Sequence, residues 1–486
     1  MVERYGFLER RLAGEQQTLA RPLRALIRNE PVVCREYASV REVVGIMHAR
    51  GVGSMVVVDG GSRPIGIFTT TDLVATAARG LDDRPVAEVM NRTLFRLPAH
   101  AMAYEAALAM IANRIRHVLV MDEDRIIGVV SERDLFSLQR LGLGEITTEI
   151  RLAGTVDLLV DLAAEIRKLA RLLVEEGVAA EQLTLFVSVL NDRLCERIIE
   201  IERKNHQWES ISWCWLAFGS EGRFEQTFST DQDNGILFSA HGNGSPDAAR
   251  AQLLPFAVSV NQALDACGFP LCKGNVMASN PGLCLSLEEW KQKMRGWLGS
   301  PAPKALLDAS ICFDFRPLCG DATLASALRD WVLPRTRANP KFLHLMAENA
   351  LESRPPLGTF RDFVTEDQPD APHSINLKLH GVRPFVDAAR IYALAHGLPQ
   401  TNTAERLRAA RAGTGMGEAE TEAVIEAFFV IQRLRLRNQA TPQSLTADGA
   451  NRVDPDKLNE FEQQMLKQAF RQARKLQSRL AMDYQV

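Results

Sequence analysis

The sequence predicts an α+β protein built from several domains. Three patterns carry this prediction: a repeated helix–strand unit near the N-terminus, two β-rich segments that flank an acidic stretch, and long helix-periodic segments elsewhere. A chain of 486 residues, 46% hydrophobic and 24% charged, has ordinary globular composition, and its length suggests roughly three domains. We divide it into an N-terminal helical extension (1–24), a repeat region (25–140, with halves 25–80 and 86–140), a helical connector (144–206), a central mixed-sheet domain (207–340) and a C-terminal helical bundle (341–486).

The charge balance and the cysteines predict a soluble cytoplasmic protein. A net charge of −3 and a pI near 6.4 give no reason to expect nucleic acid or a membrane as a partner. No apolar run approaches the ~20 residues of a membrane span, and charges interrupt the N-terminal stretch MVERYGFLERRLAG, which argues against a secretory signal. The eight cysteines form no Cys-x-x-Cys pair, so we expect buried free thiols.

Two segments near the N-terminus repeat each other. SVREVVGIMHARGVGSMVVVDGGSRPIGIFTTTDL and MAYEAALAMIANRIRHVLVMDEDRIIGVVSERDL each predict a helix, two β-rich runs and a polar helix start. In the first copy Gly66, Thr69 and Asp72 stand at three-residue steps. Gly128, Ser131 and Asp134 repeat that spacing in the second copy.

This spacing has two interpretations. The glycine allows a close backbone approach, the hydroxyl and the first helical N–H groups can meet a phosphate, and the aspartate can accept hydrogen bonds from ribose hydroxyls. Alternatively, Thr69 and Ser131 are simple helix N-caps, with Asp72 and Asp134 in the first turn. The pattern alone leaves both open.

The two in-register copies resemble a tandem of cystathionine-β-synthase (CBS) domains, an α/β module. The resemblance implies an adenosine nucleotide as regulatory ligand, and some tandems of this kind are purely structural. It also implies a homodimer, because CBS tandems often pair through their helices. The contacts it implies are Thr69, Asp72, Ser131 and Asp134, with Arg133 as a phosphate partner.

The connector predicts two amphipathic helices separated near Gly177, because VDLLVDLAAEIRKLARLLVEEG and LTLFVSVLNDRLCERIIEIERK carry apolar residues at three- and four-residue steps. We expect these helices to pack on neighbouring domains. A two-helix arm between a sensor and a catalytic domain is also suited to passing on a ligand signal.

The central domain contains an acidic pair between two predicted strands. Residues 211–218 predict a buried strand that ends in Gly219-Ser220, and residues 230–238 predict a second strand entered through Asp231 and Asp233. Side chains at i and i+2 of a strand share a face, so the two carboxylates would repel each other without a cation. Hard oxygen ligands of this kind suit Mg²⁺ together with substrate phosphates. The alternative is an acidic surface turn.

Gly219-Ser220 followed by Asp231-x-Asp233 resembles the core motif of polymerase-β-type nucleotidyltransferases. The fuller GSEGRFEQTFSTDQDN resembles the nucleotidyltransferase domains that follow CBS tandems in bacterial signal-transduction proteins, relatives of the PII-protein uridylyltransferase. Many members carry a cyclic-nucleotide-binding domain before the CBS pair, and we expect that input to be absent here. The resemblance implies a polymerase-β-like mixed sheet and a C-terminal helical domain that receives substrate.

The same resemblance implies a third metal-binding carboxylate, for which we prefer Asp314 and keep Asp308 in reserve, both on one predicted strand. Asp231, Asp233 and Asp314 would hold Mg²⁺ as the catalytic set. The nucleoside triphosphate would be contacted by Gly219, Ser220, Arg223 and Lys273. Basic positions of the C-terminal domain resemble those of the family at Lys378, Arg390, Arg406, Arg435 and Arg437.

The resemblance therefore implies a CBS-regulated, Mg²⁺-dependent enzyme that transfers a nucleoside monophosphate from an NTP to a hydroxyl acceptor, such as a protein. Two alternatives stay open. The first is a non-catalytic adenine-nucleotide sensor whose transferase-like domain docks a protein. The second is a transferase for small molecules of the aminoglycoside type.

Overall fold

The protein is represented by a computed structural model that describes residues 22–27, 30–77, 83–113, 115–123, 125–131, 143–206, 208, 211–240, 245–299, 303–358, 363–368, 371–441 and 449–486. The chain forms two compact units, residues 1–147 and 148–486. Each unit is described by itself. Arg133 and Asp134, which the resemblance implies as ligand contacts, lie outside the described residues.

The first unit contains the repeat seen in the sequence. Its first half is built from β1 (Val33–Arg35), α1 (Val40–Arg50), β2 (Ser54–Val58), β3 (Pro64–Thr69) and α2 (Thr70–Ala77). Its second half is built from β4 (Arg96–Pro98), α3 (Ala103–Asn113), β5 (His117–Asp122) and β6 (Arg125–Ser131). In each half the first strand pairs in parallel with the second, and the second pairs antiparallel with the third. The duplicated α/β module is therefore present in the fold.

Local sequence explains these elements. Ser39 and Glu42 form a capping box that starts α1, and Gly51 ends it with φ +64°. Val56 and Val58 of β2 pack with Leu119 of β5, which joins the two small sheets through apolar side chains. Gly66 and Gly128 serve close packing, because a Cβ at either position would overlap Met90 or Ile27.

The second unit is organised around a mixed sheet. Its strands are β7 (Ile211–Ala217), β8 (Asn234–Ala240), β9 (Cys284–Ser286) and β10 (Arg316–Gly320), in the order β10-β7-β8-β9. Strand β7 is antiparallel to both neighbours, and β8 is parallel to β9. The α+β class is confirmed, whereas the polymerase-β type of this sheet stays a prediction.

The remaining α-helices of the described residues follow in chain order. They are α4 (Leu143–Leu152, which crosses the unit boundary), α5 (Val156–Glu175), α6 (Ala180–Lys204), the one-turn α7 (Gly219–Gly222), α8 (Pro246–Ala266), α9 (Leu287–Gly299), α10 (Pro303–Cys312), α11 (Ala322–Arg337), α12 (Pro340–Leu351), α13 (Arg383–His396), α14 (Thr403–Thr414), α15 (Glu418–Ala440) and α16 (Glu460–Tyr484). A π-helix (Leu377–Val382) precedes α13, and β11 (Glu366–Gln368), β12 (Ala371–Asn376) and β13 (Arg452–Val453) form a small second sheet. The two predicted connector helices are present as α5 and α6, separated at Gly177 with φ +76°.

Two expected strand positions differ from the structure. Strand β8 begins at Asn234, so Asp231 and Asp233 precede it in an extended segment. Strand β10 begins at Arg316, so Asp314 lies in the turn before it, and Asp308 belongs to helix α10. The reason is that the apolar run before Asp314 satisfies helical as well as strand periodicity.

One hydrophobic core joins the sheet to the C-terminal helices. Phe218 and Phe315 of the sheet region belong to the same buried cluster as Phe385 of α13, Phe428 of α15 and Phe470 of α16. The sheet and the C-terminal helices therefore fold around shared apolar side chains.

All eight cysteines are free thiols, and only Cys272 and Cys319 are partly exposed. No helix in the described part of the chain combines the length and apolar character that a bilayer crossing needs.

Candidate functional site

The acidic pair lies where the chain enters β8. Gln232, between the two aspartates, is buried, and its amide donates hydrogen bonds to the carbonyl oxygens of Asn261 (2.9 Å) and Phe269 (2.8 Å). These bonds hold Gln232 inward, and Asp231 and Asp233 on either side of it are only partly buried. Their side chains therefore lie on the side of the segment opposite Gln232.

The two carboxylates interact electrostatically. Burial, followed by the negative charge of Asp231, raises the pKa of Asp233 to about 7, although nearby Lys378 opposes the shift. The Cys272 thiol donates to Asp233 Oδ1 at 3.5 Å, and Lys378 Nζ lies 3.6 Å from Asp231 Oδ1. A paired carboxylate site with so little compensating positive charge fits a divalent cation such as Mg²⁺, whose ligands are oxygens.

Gly219 is required beside this pair. Its φ is +53°, and a Cβ there would lie 2.7 Å from Asp233 Oδ2. The backbone N–H of Phe218 also donates to the Asp233 carbonyl at 2.9 Å, which fixes the turn against the acidic segment. Gly219 therefore adjoins the Asp233 carboxylate, and Ser220 is the next residue of α7.

Asp314 has a different environment from the one expected of a metal ligand. Its side chain is fully buried and accepts four hydrogen bonds from three guanidinium groups. Arg223 Nη1 and Arg390 Nη2 donate to Oδ2 at 2.6 Å each, while Arg390 Nε (2.9 Å) and Arg406 Nη1 (2.6 Å) donate to Oδ1. Burial raises the Asp314 pKa, but the three arginines outweigh it and hold the pKa well below its usual range. Both oxygens are thus engaged, and Asp314 does not fit a third metal ligand in this geometry.

Arg223, expected to contact phosphate, is also engaged. Besides Asp314 it donates through Nε to Glu225 Oε2 at 2.8 Å. The other oxygen of Glu225 accepts from the backbone N–H of Thr403 at 2.7 Å, and Asn402 Nδ2 donates to the Arg223 carbonyl at 3.1 Å. Arg223 therefore links the motif to the N-terminus of α14.

The remaining basic residues of the C-terminal helices fall into different environments. Arg390 and Arg406 reach Asp314, which the sequence did not predict. Arg437 pairs with Glu462. Arg435 is buried and donates to Gln432 Oε1 (2.6 Å) and Asn451 Oδ1 (2.8 Å), both neutral acceptors, and burial lowers its pKa to about 10. The sequence signal for such arginine partners was an aspartate within an apolar run, because a buried charge needs a compensating partner.

Arg316, two residues after Asp314, points to helix α6. Its Nη2 donates to Asp192 Oδ1 at 2.6 Å and to the Glu221 carbonyl at 3.0 Å. The Glu221 side chain is buried nearby, and burial, followed by the charge of Asp192, raises its pKa to about 8. Through Arg316, the second connector helix (α6) is therefore linked to the turn that contains Gly219 and Glu221.

Lys273 lies at the margin of the site. It is exposed and follows Cys272, whose thiol contacts Asp233. The chain beyond it is held in place because the Ala278 N–H donates to Asn234 Oδ1 at 2.8 Å. Lys273 is therefore open to solvent and adjoins, along the chain, the cysteine that contacts Asp233.

In the first unit, the motif residues bond to one another. The backbone N–H and the hydroxyl of Thr69 both donate to Asp72 Oδ2, at 2.9 and 2.7 Å, which is a helix-capping arrangement. The two residues also line a cavity of about 330 Å³ together with Arg116 and His117. Ser131 ends β6. Thr69 and Asp72 thus form the predicted helix cap. Both residues also face a cavity, as the ligand interpretation requires.

Comparisons with known proteins agree with this architecture. Residues 23–79 and 86–140 match the family described as "CBS domain". Residues 164–304 match "Putative nucleotidyltransferase DUF294", and residues 340–484 match "Putative nucleotidyltransferase substrate binding domain". The second match begins inside α5, so it includes part of the connector.

Similarity to individual proteins covers shorter stretches. The chain is 33% identical over 100 residues to arabinose 5-phosphate isomerase KdsD of Yersinia pestis, which is 20% of this chain and 30% of the isomerase. It is 29% identical over 99 residues to the CBS domain-containing protein YhcV of Bacillus subtilis, which is 20% of this chain and 70% of YhcV. A solved CBS domain protein of Pyrobaculum aerophilum, complexed with AMP, is 27% identical, with 26% of this chain and 99% of that chain covered and a TM-score of 0.24.

The duplicated α/β module and its family match define a CBS-domain protein. More specifically, the chain joins a CBS pair to regions that match the families described as "Putative nucleotidyltransferase DUF294" and "Putative nucleotidyltransferase substrate binding domain".

Proposed function

We propose that this protein is a CBS-regulated, Mg²⁺-dependent nucleotidyltransferase. It would transfer a nucleoside monophosphate from an NTP to a hydroxyl acceptor, and the family resemblance favours a protein acceptor in signal transduction, as for the PII uridylyltransferase. The observation that carries this proposal is the Asp231–Asp233 pair beside Gly219, in which the Asp233 pKa is raised to about 7. Homodimer formation and a cytoplasmic location stay predictions.

The reaction exchanges one phosphorus–oxygen bond for another. The acceptor hydroxyl oxygen bonds to the α-phosphorus, the bond from that phosphorus to the oxygen bridging to the β-phosphate breaks, pyrophosphate leaves, and the hydroxyl proton passes to water. A divalent cation, when bound, supplies charge neutralisation and helps to activate the hydroxyl. Asp231 and Asp233 would hold that cation.

The other residues would position the substrate. Gly219 allows the phosphate chain to approach the turn, because a side chain there would fill the space beside Asp233. Ser220 and Lys273 would contact phosphate oxygens of the nucleotide. Arg223 would act indirectly, because its guanidinium is engaged with Glu225 and Asp314.

We propose that the CBS pair is the regulatory input and binds an adenosine nucleotide. The cavity lined by Thr69, Asp72, Arg116 and His117 supports this, since its volume of about 330 Å³ suits a small ligand. Asp72 would accept hydrogen bonds from ribose hydroxyls. A contact of Arg133 or Asp134 with the same class of ligand stays a prediction.

A second candidate function is a non-catalytic adenine-nucleotide sensor with a protein-docking domain. The observation that favours it is the engagement of Asp314 with three arginines, which removes one carboxylate from the expected catalytic set. Such a protein would bind adenine nucleotide at the CBS pair and would transfer nothing.

Two measurements test the proposal. Calorimetry should detect Mg²⁺ and one or more NTPs binding to the wild-type chain, and Asp231→Asn together with Asp233→Asn should abolish the metal signal. Asp247→Asn, which neutralises an exposed carboxylate on α8, is the control for loss of a carboxylate outside the site. Incubation with labelled NTPs and cell lysate should yield a labelled macromolecule. Metal binding that survives loss of both carboxylates would overturn the site, and the absence of any labelled product would favour the sensor.

A further inference from the structure

Lys378 differs from the other basic residues near the site. Arg223, Arg390 and Arg406 are buried and hold Asp314, whereas the Lys378 side chain is 55% exposed. Its Nζ lies 3.6 Å from Asp231 Oδ1, and Asp231 is itself 45% exposed. Within the described residues this is the one ionic contact that Lys378 makes. The helical domain thus directs a solvent-accessible ammonium at the acidic pair.

The backbone that carries Lys378 is fixed. Leu377 is fully buried, and Asn376 caps the π-helix by accepting a hydrogen bond from the Leu379 N–H at 3.0 Å. The Ser353 hydroxyl donates to the Leu379 carbonyl at 2.5 Å. Gly381 packs so closely on Ile431 that a Cβ would clash. Because the main chain is held on both sides, only the side chain of Lys378 is free to change partners.

The contact with Asp231 is weak enough to exchange. At 3.6 Å between partly exposed groups, an ion pair contributes about 0–1 kcal/mol. Two adjacent carboxylates bind a divalent cation more favourably than one distant ammonium, since oxygen ligands and charge both match. A lysine displaced from Asp231 keeps its reach, its charge and three donors, which suit a phosphate oxygen.

We propose that Lys378 is a further substrate-binding residue of the transferase site. In the metal-free protein its ammonium neutralises Asp231, and in the loaded protein it binds a phosphate group of the nucleoside triphosphate. This inference rests on the proposed function, because it takes Asp231 and Asp233 as the metal-binding pair.

The test compares Lys378→Met with Lys378→Arg and with Lys475→Met. Lys475 belongs to the same domain but pairs with Glu420 at 2.8 Å, so its substitution removes the same charge elsewhere. Two affinities are measured by calorimetry: that of Mn²⁺ alone, and that of a non-hydrolysable NTP at saturating Mn²⁺. Circular dichroism checks that each variant is folded.

Lys378→Met should bind Mn²⁺ alone up to about fivefold more tightly, because a competing cation is gone. It should bind the nucleotide at least about tenfold more weakly, which corresponds to roughly 1.4 kcal/mol. Lys378→Arg should recover much of the nucleotide affinity, and Lys475→Met should change neither value. Unchanged nucleotide affinity in Lys378→Met would overturn the proposal, whatever happens to Mn²⁺.

The failure of this inference can be told from failure of the proposed function. If Asp231→Asn with Asp233→Asn leaves Mn²⁺ binding intact, the metal site itself is refuted. If that double variant loses Mn²⁺ but Lys378→Met binds nucleotide like the wild type, only the assignment of Lys378 is refuted.

Discussion

Asp314→Asn should destabilise the second unit strongly without changing its affinity for metal. Asp314 is fully buried and is the shared acceptor of Arg223, Arg390 and Arg406. The asparagine keeps one oxygen, but its amide group donates where Oδ2 accepted two hydrogen bonds at 2.6 Å. Three buried cations would then lack their common counter-charge.

The magnitude follows from this burial. Removing one partner of a buried ion pair costs roughly 3–5 kcal/mol, because an uncompensated charge remains in the interior. We expect the free energy of unfolding to fall by that amount in Asp314→Asn. Asp247→Asn provides the control: its side chain is 89% exposed and pairs with Arg250 at the surface, so the loss should be below about 1 kcal/mol.

Urea unfolding followed by tryptophan fluorescence measures this difference. All six tryptophans lie in residues 208–331, so the signal reports the second unit alone. Calorimetry with Mg²⁺ is run on the same samples below the unfolding transition. If Asp314→Asn unfolds like Asp247→Asn but no longer binds Mg²⁺, Asp314 is a metal ligand after all and the assignment to the arginine cluster is refuted.

Two other predictions concern the surroundings of Asp314, and a third concerns the CBS pair. The pKa of Asp314 is lower in the folded protein than in the unfolded chain, where it lies near 4, so the Asp314 carboxylate contributes fully to stability above about pH 4 and progressively less as the pH falls below it. The free energy of unfolding should therefore depend less steeply on pH in the acid range for Asp314→Asn than for the wild type. Equal slopes would contradict this. Gly222→Ala should lower the free energy of unfolding in urea by at least about 1–3 kcal/mol, because the new Cβ would overlap the Asp314 carbonyl. Gly296→Ala, with open space around it, should be neutral or stabilising. Similar values for the two variants would contradict the packing. Asp72→Asn should weaken AMP binding to the CBS pair about tenfold by calorimetry, through loss of a charged acceptor, and an unaltered affinity would remove Asp72 from the ligand site.

The sequence predicted the elements that depend on local patterns. Helical periodicity was sufficient for α5 and α6, and a β-rich apolar run was sufficient for β7. The alternation of side chains in an extended segment was sufficient for the inward-facing Gln232 between two outward-facing aspartates. The repeat was visible because both copies keep the same spacing of glycine, hydroxyl and carboxylate.

Local sequence patterns could not predict contacts between distant segments. Asp314 and Arg390 are remote in sequence, and no local rule states which arginine of a helical domain will turn inward. The same limit applies to Arg316, whose partner lies on α6 and not in its own segment. The start of β8 was misplaced because Asp231 and Asp233 precede the first paired residue, Asn234, which faces Ala217.

The arginine cluster also bears on how far these domains can be treated as modules. Arg223 lies in one matched region (164–304), Arg390 and Arg406 lie in the other (340–484), and Asp314 lies between the two regions. A chimaera that grafts a foreign substrate-binding domain onto this sheet would bury an aspartate without its cations. Recombination, natural or engineered, would therefore have to move the sheet together with helices α13 and α14.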